Sequence, residues 1–139
     1  MRNILLILTG SCALWFCAKS GYGAWNYLHL NALTSAQIEQ WSVEDSGSYA
    51  RIAASYSYEV EGKRYTGKTI FKEPEFLNRL SAENQLKSWE QHHYQAWYSS
   101  FFPGSSSLQK IFPYKSTVYA LISVGVAIFF WIMFKKANP

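Results

Sequence analysis

Three kinds of hydrophobic pattern follow one another along this chain. The last is the plainest: Ser116 to Phe134, "STVYALISVGVAIFFWIMF", carries no charge. At 1.5 Å per residue it is long enough to cross the roughly 30 Å hydrocarbon layer of a bilayer. Tyr114 and Lys115 stand at one end and Trp131, Lys135 and Lys136 at the other, the aromatic and basic anchors expected at a lipid interface. The N-terminal run, Ile4 to Ala18, is shorter and is followed by Lys19, but "SGYGAWNYLHLNAL" beyond it stays apolar and aromatic. A helix can continue through Lys19 if that side chain snorkels to the headgroups. The pattern predicts two membrane-spanning helices.

Between them the period falls to two. In "SYSYEVEGKRYTGKT", Ser55 to Thr69, a two-residue turn at Glu61-Gly62 sets Glu59 opposite Arg64, Tyr58 opposite Tyr65, Ser57 opposite Thr66, Tyr56 opposite Gly67 and Ser55 opposite Lys68. Continued, the same count brings Ile52 opposite Phe71. One face then collects Ile52, Ala54, Tyr56, Tyr58, Tyr65 and Phe71, and the other collects charges and hydroxyls. Gly67 leaves room for the Tyr56 ring to lie across the backbone. A lone hairpin is barely stable in water, so its aromatic face needs a cover. "EPEFLNRLSAENQLKSWEQ" supplies Phe76, Leu77, Leu80, Leu86 and Trp89 at helical spacing, with Pro74 near a start and Ser81 as a second cap. Strand-like alternation returns with Tyr94, Ala96 and Tyr98 on one face and His93, Gln95 and Trp97 on the other, ending in a Pro103-Gly104 turn. Upstream, Ala36 to Tyr49 reads as one more short strand and a turn.

The expected fold is therefore two transmembrane helices flanking a small exported α+β domain with an antiparallel hairpin core. The expected divisions are residues 1–30, 31–113 and 114–139. Charge sets the topology. Arg2 and Lys135-Lys136 lie at the extreme ends, and all nine acidic residues fall between Glu39 and Glu90, interleaved with bases. Basic termini place both ends in the cytoplasm and the middle, periplasmic or extracellular, across an inner membrane. The nearly neutral middle lacks the basic stripe of a nucleic-acid binder.

Small residues recur along both spans, Thr9, Ala13 and Cys17 in the first and Ala120, Ser123 and Ala127 in the second. Such stripes let helices pack in lipid, against each other or against another protein. Cys12 and Cys17 are five residues apart, on different faces of a helix, and read as small apolar residues. The middle segment has no cysteine, hence neither a disulfide nor a thiolate metal site. Two other readings of the N-terminus stand beside the retained span. One is a cleaved leader, given the charged start and short apolar run. The other is a lipoprotein anchored at Cys12, although Thr9 occupies the place where such a signal carries leucine.

The order of segments, with Tyr56, Tyr58, Val60, Gly62, Lys63, Tyr65 and Gly67 in the hairpin, resembles domain-of-unknown-function family 3592 of small membrane proteins. The later Trp97, Tyr98, Pro103, Ser106 and Leu108 also match, without the Asp or Asn that precedes the proline in that family. The resemblance implies two spans around a β-rich domain and no activity. Nor do the residues point to one. Adjacent His92 and His93 face opposite sides of a strand and cannot chelate one ion together. Neither a phosphate loop nor a nucleophile elbow is present. No catalytic, cofactor or metal residue is expected.

What remains is an accessory or assembly subunit contacting membrane lipids and a larger membrane complex or copies of itself. The alternative is a lipid- or ligand-sensing module with an apolar pocket beneath the segment Phe76 to Trp89. Trp97, Phe101 and Phe102 are the expected exposed contact residues, since large apolar side chains before a Pro-Gly turn have no obvious core to enter.

Overall fold

The computed structural model describes residues 2–137. The chain divides into two compact units, the helical ends and the segment His29–Lys110. The helical unit holds α1 (Arg2–His29) as far as Leu28, and α3 (Tyr114–Lys136), both long and apolar enough to cross a membrane. They run antiparallel. Ser20 and Thr117 share a hydroxyl hydrogen bond of 2.9 Å. Phe16 meets Tyr119 with ring centroids 5.9 Å apart, and Tyr27 meets Phe112 edge-to-face at 5.4 Å. Gly23 is required here, because a Cβ at that position would lie 2.8 Å from the Pro113 ring.

The covered side of α1 runs through Leu6, Thr9, Ala13, Phe16, Ser20, Gly23 and Tyr27, and that of α3 through Ser116, Ala120, Ser123, Ala127, Phe130 and Phe134. Five of the six small residues expected in the stripe lie on it, with Ala13 and Ala120 buried. Cys17 does not; it is exposed. The reason is geometric. A step of four residues turns about 400°, so two such steps carry Cys17 roughly 80° away from Thr9. Steps alternating between three and four follow a partner helix instead.

The central unit is a five-stranded antiparallel sheet in the order β3-β2-β1-β4-β5. Its strands are β1 (Ala32–Ser46), β2 (Tyr49–Val60), β3 (Lys63–Ile70), β4 (Tyr94–Tyr98) and β5 (Ser106–Ser107). The β2–β3 hairpin has the register that counting outward from Glu61-Gly62 gives, with Tyr58 opposite Tyr65 and Tyr56 opposite Gly67. Glu61 and Gly62 take φ of 52° and 78°, the pair of positive values that matches the twist of a two-residue hairpin.

The expectation of a short strand between Ala36 and Tyr49 is corrected: β1 is 15 residues long and is the middle strand. A bulge between Ile38 and Gln40 conceals it. Ala36 and Ile38 pack on the core before the bulge, and Trp41 and Val43 after it, so the alternation changes phase halfway.

The helix covering this face, α2 (Arg79–Trp89), is shorter than the spacing predicts. Asn78 caps it, its side chain accepting from the Ser81 N–H at 2.8 Å, so Ser81 receives a cap rather than making one. Phe76 lies outside the helix and exchanges two backbone hydrogen bonds with Ala50, of 2.8 and 3.0 Å. Leu77 and Leu80 point outward, while Ala82, Leu86 and Trp89 face the sheet. There Trp41 stacks near Phe71 and meets Trp89 and Tyr94 edge-on, at centroid distances of 5.2 to 6.3 Å. Phe71 and Trp89 also meet edge-on, at 5.0 Å, so these rings pack together beneath α2.

Candidate interaction surface

The tyrosines of the hairpin build inward. Tyr56 is fully buried and Tyr58 nearly so. The Tyr58 ring stacks between Tyr65 and Tyr98, at 5.7 and 6.3 Å. Gly67 makes way for Tyr56: an added Cβ would come within 2.8 Å of the Tyr56 ring and hydroxyl. The ring's far end then reaches β5, where its hydroxyl pairs with Ser106 Oγ at 2.9 Å and accepts from Thr69 Oγ1 at 3.2 Å. Thr69 Oγ1 in turn accepts the Leu108 N–H at 3.0 Å. Burial pushes the Tyr58 phenol above its ordinary value; the neighbouring Ser106 hydroxyl partly offsets this, and Tyr56 and Tyr65 reinforce it. The protonated Tyr58 hydroxyl donates to the carbonyl of Pro103 at 2.6 Å. The motif thus fastens the loop between β4 and β5 onto the hairpin.

That loop is held at several other points. Ser99, fully buried, donates its N–H to the Ser105 carbonyl at 3.0 Å and accepts the Phe102 N–H on its side chain at 3.2 Å. The Ser105 N–H donates to the Phe102 carbonyl at 2.8 Å. Asn31 clamps Ser100 twice, donating to its Oγ at 2.9 Å and accepting its N–H at 3.0 Å. From this fixed frame Phe101 and Phe102 project, 79% and 66% exposed. The Phe102 ring lies 5.7 Å from that of His29.

Trp97 departs from the expectation that it would be exposed beside them. It is half-buried, set between Leu33 and Ser107 on the adjoining strands, with Lys110 Nζ 4.6 Å from the ring centroid. The clamp residues Asn31 and Ser99 carry no sequence signal, because their partners are either distant in the chain or main-chain atoms.

Elsewhere, a shallow groove of about 460 Å³ is lined by Gln37, Ile38, Trp41, His92, His93 and Tyr94. His92 Nδ1 is hydrogen-bonded to the Ser88 carbonyl at 2.9 Å. Among the described residues no three His, Cys, Asp or Glu side chains lie where they could share a metal ion. No family model, no curated protein and no solved structure matches this chain.

Proposed function

We propose that this chain is a non-catalytic integral membrane protein, an accessory or assembly subunit that contacts a larger membrane complex or its own copies. Both termini lie in the cytoplasm in this reading, and the sheet domain is exported from an inner membrane. The observation that carries it is the outward surface of the two helices. Ile4, Ile7, Leu14 and Trp15 on α1, with Leu121, Ile122 and Phe129 on α3, are all more than half exposed. Apolar surface of that extent calls for lipid or another protein around it. The helix α1 packs along α3 through Phe16 with Tyr119 and Ser20 with Thr117, which supports a retained span over a cleaved leader or an anchor at Cys12. Membership in domain-of-unknown-function family 3592 belongs to the same proposal, on the strength of the tyrosine-glycine hairpin.

The test is extraction from the native membrane in mild detergent, isolation by a C-terminal tag and measurement of the intact mass together with whatever is retained. A stoichiometric companion or a defined oligomer, on a chain that keeps Met1, is the expected result. Recovery in the aqueous fraction without detergent would refute the membrane reading, and a mature chain beginning at Cys12 would establish the lipoprotein. Isolation as a monomer with bound lipid would favour the sensing module.

A further inference from the structure

We infer that the loop carrying Phe101 and Phe102 is a lipid anchor, resting at headgroup level in the membrane that α1 and α3 cross. The inference depends on the two-span reading and assigns the occupant of one exposed patch.

Chain connectivity supplies the first argument. Asn31, which clamps Ser100, is two residues beyond the end of α1, and two residues span at most about 7 Å. The contact of Phe102 with His29 holds the loop equally near. However the sheet domain turns, this loop stays beside the end of α1.

The second argument is continuity. Beyond Lys19, α1 rises for about 15 Å to His29. Along that rise the exposed side chains include Tyr22, Trp25 and Leu28, each at least 65% exposed. Polar-tipped aromatics such as Tyr22 and Trp25 occupy the interface between hydrocarbon and water. They continue the apolar surface of α1 towards its end at His29. The other connection has the same character, with Lys110 over the ring of Trp97 and Phe112 exposed just before α3.

Size argues for lipid rather than protein. Two phenylalanine tips at this exposure offer roughly 300 Å², against about 800 Å² that each partner contributes to a stable protein interface. Shallow insertion of a few apolar side chains is sufficient for an interfacial contact when the spans already tether the chain. The brace matters as well. With the loop fixed by Asn31, Ser99 and Tyr58, presenting the two rings to lipid requires little further ordering.

The test uses the full chain with Cys12→Ser and Cys17→Ser, reconstituted in phosphatidylcholine–phosphatidylglycerol vesicles. A single environment-sensitive fluorophore is attached through Phe101→Cys, Leu121→Cys or Ser48→Cys. Ser48 lies in the turn at the opposite end of β1, about 45 Å of strand away. Nitroxide on the choline headgroup should quench the label at position 101 and leave that at position 48 bright. Nitroxide deep on the acyl chain should quench the label at 121. Quenching at 121 without quenching at 101 overturns the loop's role and leaves the spans standing. Absence of quenching at both overturns the two together. A label at 101 shielded from both headgroup nitroxide and aqueous quencher would mean that protein, a second copy included, covers the loop, and would equally overturn the inference.

Discussion

Tyr58 shows how much of the domain depends on single atoms. Its hydroxyl joins the β2–β3 hairpin to a loop some forty-five residues later in the chain, and its ring forms the middle of a tyrosine stack. Tyr58→Phe keeps the stack and loses the bond to Pro103, and should cost about 1 kcal/mol in a denaturant melt. The phenols of Tyr58 and Tyr94 are both pushed up, chiefly by burial. The folded state therefore holds their protons more tightly than the unfolded chain does. Their stabilisation is complete below the ordinary phenol value of about 10 and is lost as pH climbs past it through their raised values. Melts across that range should show stability falling, and Tyr58→Phe should flatten the fall. A fall unchanged in the variant would assign the proton uptake elsewhere. Gly67→Ala would drive a methyl into the Tyr56 ring and should destabilise by about 1–3 kcal/mol. Glu61, at φ 52°, stands in a conformation that asparagine adopts more readily, so Glu61→Asn should raise the melting temperature. These pairings were legible because a two-residue turn fixes every register outward from it. The Asn31–Ser100 clamp was not, since nothing in either residue's neighbourhood names the other.

At the level of elements, legibility followed the regularity of the pattern. The β2–β3 hairpin alternates without interruption and was readable residue by residue. β1 reads from the sequence only as a short strand, because its bulge shifts the apolar positions from even to odd numbers between Ile38 and Trp41. For α2 the apolar spacing overran the helix. Phe76 and Leu77 continue the periodicity, but Phe76 is committed to backbone bonds with Ala50. The helix can start only where Asn78 supplies a side-chain acceptor. Asn78→Ala should then cost about 1 kcal/mol, with hydrogen exchange quickening first in the Arg79–Ala82 turn. Uniform quickening throughout α2 would instead indicate that the packing of Ala82, Leu86 and Trp89 governs its stability. Trp97 illustrates a further limit: strand alternation placed it on the correct face, but the cover provided by Lys110 comes from a segment beyond β5.

For the molecule as a whole, the helical ends were legible by length and lack of charge, and their mutual register was not. Small residues occur on every side of α1, and contacts such as Ser20 with Thr117 and Phe16 with Tyr119 select one. In a background lacking Cys12 and Cys17, Ser20→Cys with Thr117→Cys should form an intrachain disulfide on mild oxidation, visible as a shift in gel mobility. Leu14→Cys with Leu121→Cys, both on outward faces, should not. Equal cross-linking of the two pairs would refute the register. The position of β1 carries a consequence for the order in which the chain is assembled. Its later part pairs with β2, which follows at once, but Ala32–Ala36 pairs with β4, which arrives only after β2, β3 and α2 have been made. A nascent chain therefore passes through an interval in which the middle strand of the finished sheet is still an edge, its first residues open to any extended segment nearby. Synthesis halted before Tyr94 would leave a product that seeks a strand from another molecule, and the intact protein is released from that hazard by five residues near the end of its domain.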